Sequence, residues 1–90
     1  MDTRYISYIV EIADQKNMTK AAEKLFVSQP SLSQYLSKLE QELGTPLFHR
    51  VKGELLPTPA GELYVDCARK ILDMKKKLYC DIANLTNSGH

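Results

Sequence analysis

A chain of 90 residues, 43% of them hydrophobic, has room for one small globular domain. A chain this short covers only part of its apolar surface, so association with a second copy is a natural source of further core. There is no Trp and no long Gly/Ser tract, so disorder is expected only at the ends, and no apolar run approaches the length of a membrane span; a formal net charge of +1 does not by itself announce a nucleic-acid binder. The distribution of charge says more. Between Lys16 and Lys52 the bases Lys16, Lys20, Lys24, Lys38, Arg50 and Lys52 face only the acids Glu23, Glu40 and Glu42, whereas the first fifteen residues lean acidic through Asp2, Glu11 and Asp14.

Met1-Asp2-Thr3 leads directly into an amphipathic pattern, which predicts no signal peptide and a cytoplasmic protein. Tyr5, Ile6, Ile9, Val10 and Ala13 recur at helical spacing and predict a supporting helix from about Asp2 to Gln15. Lys16-Asn17 breaks the pattern. Asn17 suits the N-cap of a second, short helix from about Met18 to Phe26 with Ala21, Ala22 and Leu25 inward, where the paired alanines allow a close helix crossing. Val27-Ser28 makes a tight turn. Ser28 caps a third helix running to about Leu43, and Pro30 is tolerated in its first turn because an N–H there has no helical partner.

Along that third helix Leu32, Leu36, Leu39 and Leu43 form an apolar stripe that must face the core. Pro30, Gln34, Ser37, Lys38 and Gln41 fall on the opposite side, with Gln29, Ser31 and Ser33 on the flanks and the N-terminal tip. Gly44 ends the helix. From Thr45 to Pro57 the short apolar pieces Leu47-Phe48 and Leu55-Leu56, with Lys52-Gly53-Glu54 between them, predict a wing of two short strands at most, its base anchored by Leu47 and Phe48. Thr58 and Pro59 open a fourth helix continuing to about Leu85, with residues 87–90 as a frayed tail.

The fourth helix carries a heptad seam. Tyr64, Ile71, Leu78 and Leu85 are spaced by sevens, with Cys67 and Met74 between them and an interruption at Asp81. The domain has few unused apolar positions to receive so long a helix, so the seam predicts a homodimer interface. Cys67 and Cys80 have no metal-ligand spacing and are expected to be buried or partly buried thiols. The expected division is residues 1–58 as a reading domain, 59–86 as a dimerisation helix and 87–90 as the tail.

No Gly-rich phosphate loop, GxSxG or HExxH is present, and neither His49 nor His90 sits where it would activate one of the clustered serines; no enzyme, cofactor or metal site is expected. Two helices joined by a tight turn, the second with a polar N-terminal face, are instead the hardware of a helix-turn-helix DNA reader. Gln29 and Gln34 can each make a bidentate contact to adenine, Pro30 can touch a thymine methyl, and Ser33 can donate to a base edge. Ser28, Ser31 and Ser37 suit caps and phosphate contacts. Lys38, Arg50 and Lys52 would reach the DNA backbone.

The string AAEKLFVSQPSLSQYLSKLEQELGTPLF, followed by PTPAG, resembles the N-terminal domain of LysR-type transcriptional regulators, from the first helix to the end of the chain. The resemblance implies a mainly α, winged helix-turn-helix fold of three helices plus a short β wing, followed by a long dimerisation helix. Ser28-Gln29-Pro30-Ser31-Leu32-Ser33 matches the start of the family's recognition helix, Leu39-Glu40 and Glu42-Leu43-Gly44 its end, and Pro46-Leu47-Phe48 with Arg50 the wing base. The sequence departs from many members at Gln34, where they carry Arg, and at Val51-Lys52-Gly53, where their wing is richer in Arg. The implied partners are a double-stranded DNA operator with inverted half-sites and a second copy through the linker helix. The family's small-molecule effector site lies in a larger C-terminal domain, and none is expected in these residues, which read as a DNA-binding fragment of a bacterial regulator. The alternatives are a molybdate-regulator-like DNA-binding domain, which shares the wing and TPAG layout, and a helical protein-interaction module without DNA binding.

Overall fold

A computed structural model describes residues 3–88. The elements run α1 (Arg4–Gln15), α2 (Met18–Leu25), α3 (Gln29–Leu43), β1 (Phe48–Val51), β2 (Glu54–Pro57) and α4 (Pro59–Ser88). This is the expected mainly α winged helix-turn-helix followed by a long helix. The expected first residue of α1, Asp2, lies outside the described residues, as do Gly89 and His90 of the expected tail. Asn87 and Ser88, also assigned to that tail, belong to α4.

The core forms where α1, α2, α3 and the first half of α4 meet over the base of the wing. Ile9, Ile12, Leu32 and Leu47 are fully buried, and Ala21, Ala22, Leu36, Phe48, Leu55 and Val65 close around them. Each large aliphatic side chain so buried stabilises the fold by roughly 1.5–3 kcal/mol relative to exposure. The two alanines bring α2 tightly against α1 and α3. Because Val65 joins this cluster, the core continues across the expected division after residue 58.

Two burial expectations change. Leu43, assigned to the inward stripe, is 48% exposed. Its angle is right but its height is wrong: α3 spans about 22 Å against about 12 Å for α2, so its last turn projects past the helices it packs on. Cys67 and Cys80, expected buried or partly buried, are both exposed: Cys67 lies off the inward face of α4 that carries Val65 and Ala68, and Cys80 lies on the part of α4 beyond the body.

The wing is a two-stranded antiparallel hairpin in which Phe48 pairs with Pro57 and Val51 with Glu54. Lys52 and Gly53 both have positive φ, 51° and 83°, the handedness a two-residue hairpin loop needs to match the strand twist. Backbone ties the wing to the body where Leu55 N–H donates to Lys16 O at 2.9 Å, and Thr58 N–H closes the open end of the hairpin by donating to Leu47 O at 3.0 Å.

Thr58 starts α4 as expected. Its hydroxyl accepts from Gly61 N–H at 3.1 Å and donates to Pro46 O at 2.7 Å, so one side chain caps the helix and pins the wing base. Thirty residues of helix extend about 45 Å, which sets the 55 Å long axis of a molecule only 25 × 23 Å across. Every residue from Lys76 to Asn87 is exposed, so the last three turns of α4 stand clear of the body.

Candidate nucleic-acid interface

The α2–turn–α3 unit is built by local hydrogen bonds. Asn17 Oδ1 accepts from Lys20 N–H at 2.9 Å, the expected N-cap of α2. That helix ends at Leu25, one residue before the expected end, because Phe26 turns left-handed at φ 57° and Val27 N–H bonds back to Ala22 O at 3.1 Å. Ser28 then returns to an extended conformation. Its Oγ accepts from Ser31 N–H at 3.2 Å and meets Ser31 Oγ at 2.7 Å, which caps α3, with Pro30 in its first turn.

Burial of Leu32 and Leu36 fixes the rotation of α3 about its axis. Ser28, Gln29, Pro30, Ser31, Gln34, Ser37 and Lys38 are all exposed as a consequence, and Ser33 is half-buried. Gln29 Nε2 donates to Ser33 Oγ at 2.8 Å, so the serine one turn on fixes the position of the amide. Arg50 on β1 and Lys52 at the hairpin tip are exposed, as is His49 between Phe48 and Arg50. Lys16, Lys20 and Lys24 are exposed along α2 and its entry. The exposed end of α3 thus combines planar amides, hydroxyls and a helix N-terminus, groups that can hydrogen-bond base edges and phosphate oxygens.

On α4 the predicted seam divides. Tyr64 is half-buried against the domain's own core, while Cys67, Ile71, Met74, Leu78 and Leu85 are exposed. A shallow apolar groove of about 260 Å³ lined by Ile6, Tyr64, Cys67, Ala68 and Ile71 runs along the upper part of this face.

Several structural contacts escaped the sequence reading. Glu40, noted as an acid among the bases and as part of a matching string, accepts from Leu47 N–H at 2.6 Å and so fastens the end of α3 to the wing base. Arg69 pairs with Asp14 at 2.6 Å, and Lys75 Nζ donates to Thr3 Oγ1 at 3.0 Å; both join α4 to α1 or its cap. The Arg69 pKa is raised chiefly by its hydrogen bond to Asp14. Tyr5, Tyr8 and Tyr35 form a three-ring cluster in which Tyr35 stacks on Tyr5 at a centroid distance of 4.9 Å and meets Tyr8 edge-on at 5.7 Å. Burial, then the neighbouring Tyr64 phenol, pushes the Tyr35 pKa up to about 12. Five tyrosines in a chain without Trp were a visible signal, but periodicity could not reveal that three of them converge.

Among the described residues, no group of three His, Cys, Asp or Glu could hold a metal ion, and no helix is long and apolar enough to cross a membrane.

The family model for bacterial regulatory helix-turn-helix proteins of the lysR family matches residues 3–62. The chain is 45% identical over 78 residues to the uncharacterised transcriptional regulator YcgK of Bacillus subtilis, covering 87% of this chain and 24% of YcgK. It is 46% identical over 72 residues to the transcriptional regulator BudR of Klebsiella aerogenes, covering 80% of this chain and 50% of BudR. The chain therefore spans about a quarter to a half of the length of these relatives. Among solved structures it matches the BenM DNA-binding domain in complex with catB site 1 DNA, at 33% identity and a TM-score of 0.88, over 100% of this chain and 99% of that one. With a family model spanning the reading unit, relatives that are transcriptional regulators and a shared fold along the whole chain, the protein belongs to the lysR family of bacterial regulatory helix-turn-helix proteins and folds as that family's DNA-binding domain.

Proposed function

We propose that this chain binds double-stranded DNA sequence-specifically, as the reading part of a bacterial LysR-type regulator acting in the cytoplasm. Gln29, Pro30 and Gln34 contact base edges in the major groove, with Ser33 beside them orienting the Gln29 amide. Ser28, Ser31, Ser37 and Lys38 hold phosphates along the groove, and Arg50 and Lys52 of the wing hold the flanking backbone. The observation that carries this reading is the division of α3. Its leucines are buried up to Leu36, while Gln29, Ser31 and Gln34 of its first two turns are exposed together with Pro30. A helix whose only structural duty was to fill a core would not need that surface to be free of long charged side chains at its tip.

The active form is a homodimer joined along α4 through Ile71, Met74, Leu78 and Leu85, with Tyr64 and Cys67 at its upper end. It reads an operator of two inverted half-sites. Support comes from the exposed apolar positions that recur down α4. The test is selection from a random duplex pool, followed by titration across salt concentrations. The expected result is a two-part inverted motif, bound with an affinity that falls steeply as salt rises. Recovery of no motif, or binding indifferent to salt, would refute the DNA-reading role.

A further inference from the structure

Given the dimeric reading just proposed, the two recognition helices must be held at a set separation, and the only link between them is through each α4. Contacts on α3 and α4 converge on α1. From the α3 side, Tyr35, the residue after Gln34, stacks on Tyr5 with ring planes 23° apart and meets Tyr8 edge-on at 89°, while Tyr5 and Tyr8 themselves meet at 5.5 Å. From the α4 side, Arg69 pairs with Asp14 at one end of α1, and Lys75 bonds Thr3 at the other. The two attachments on α4 are six residues apart and those on α1 eleven, so α1 is held to α4 at both of its ends. Tyr35 is also close enough to Tyr64 of α4 for its phenol to feel that of Tyr64.

We propose that Tyr35 is a positioning residue: its clamp on Tyr5 and Tyr8 makes α1 a rigid adaptor between the recognition helix and the dimer helix, and so sets which spacing of half-sites the dimer accepts. Three rings in mutual contact resist both sliding and rotation of α3 over α1, because offset-stacked and edge-to-face arrangements each have a preferred geometry. An aliphatic residue at the same place would fill the space without that angular preference. None of the three rings belongs to a residue assigned to base or phosphate contact. The clamp therefore affects discrimination between spacings and leaves recognition of one half-site alone.

The test uses the duplex selected by the unsubstituted chain, the same duplex with one or two base pairs added between the half-sites, and a duplex with a single half-site. Tyr35→Leu and Tyr5→Leu are compared with the unsubstituted chain and with Tyr35→Phe. Both leucine variants are expected to reduce the preference for the selected spacing at least fivefold, since about fivefold is the scale of one aromatic contact and each variant removes two of the three. Tyr35→Phe, which keeps the ring, retains the preference, and binding to the single half-site stays the same in all of them. Tyr5 is half-exposed, so Tyr5→Leu decides the matter if Tyr35→Leu does not fold. An unchanged spacing preference in the leucine variants, or a fall in single half-site binding as large as that for the paired site, overturns the proposal. Failure of the unsubstituted chain to bind duplex would instead refute the DNA-reading role, and failure to prefer any spacing the dimeric reading, on which the proposal rests.

Discussion

A Cβ on Gly61 would stand 1.9 Å from the carbonyl oxygen of Leu47. That oxygen belongs to backbone and is already bonded by Thr58 N–H, so it cannot swing aside. Gly61→Ala should therefore force α4 away from the wing base and cost about 1–3 kcal/mol or more, the range for overpacking a closed site. Denaturant melts of the two proteins check this, and an unchanged midpoint would mean that α4 can shift freely. Side chains at the proposed DNA surface should sort by what they touch. Gln34→Ala should alter the selected base at one position of each half-site, worth about 1–3 kcal/mol if the amide makes two bonds. Lys38→Ala and Arg50→Ala should weaken binding to all sequences alike and flatten the salt dependence by about one phosphate each. A loss confined to one operator would move either residue among the base readers. Gln34 was legible as exposed from wheel arithmetic, since a helix with Leu32 and Leu36 inward puts it on the opposite side, and Gln29 from its place at the N-terminal tip. Glu40 was not legible in its role, because its partner lies seven residues away across a turn whose path the sequence does not specify.

The joint between α2 and α3 shows how an element can carry a local cost. Phe26 ends α2 in the left-handed region, where a side chain meets its own carbonyl, and its ring is 94% exposed. The turn is offset by the capping bonds of Phe26 and Val27 N–H to Glu23 O and Ala22 O, which any residue in this conformation would make, while the exposed ring is not needed for them. Left-handed backbone costs an ordinary residue roughly 1–2 kcal/mol, and Asn tolerates it better. Phe26→Asn should accordingly raise stability by about 0.5–1 kcal/mol, measurable as a higher melting temperature with unchanged helix content. A lower melting temperature would show that the ring has a stabilising contact. The wing meets the same demand differently. At its tip Gly53 takes one of the two positive-φ positions without strain and Lys52 takes the other. Turn residues made the hairpin readable from Lys52-Gly53-Glu54. The early end of α2 was harder to read, because Phe26 is compatible with helix and gives no stop signal.

At the scale of the whole molecule the long fourth helix dominates. A compact chain of this length would have a radius of gyration of about 12 Å, against the 15.5 Å observed. The excess is the projecting end of α4, which carries Leu78, Tyr79, Ile82 and Leu85 into solvent. A small domain gains most from covering such a surface with a second copy. Replacing both Ile71 and Leu78 with Lys should therefore give a folded monomer with much weaker binding to the paired operator. Sedimentation checks the mass and circular dichroism the fold. A double variant that stays dimeric would place the interface elsewhere.

The order of elements, the caps Asn17, Ser28 and Thr58, the inward leucines of α3 and the wing could all be read from the chain, because each depends on residues within one or two helical turns of one another. Periodicity and capping are local physics, and local physics survives in a one-dimensional string. The rest depended on distances that only folding creates. The sequence placed Leu43 on the right face without revealing that α3 outruns its neighbours. It offered one seam on α4, whereas packing divides that helix into a face carrying Val65 and Ala68 against α1 and an offset, exposed face carrying Ile71 and Leu78. The tyrosine cluster, the Asp14–Arg69 pair and the Glu40 clasp join residues from different elements, and their existence follows from the crossing angles of the helices. Those angles are set jointly by every side chain in the core, so no single segment of the sequence contains them.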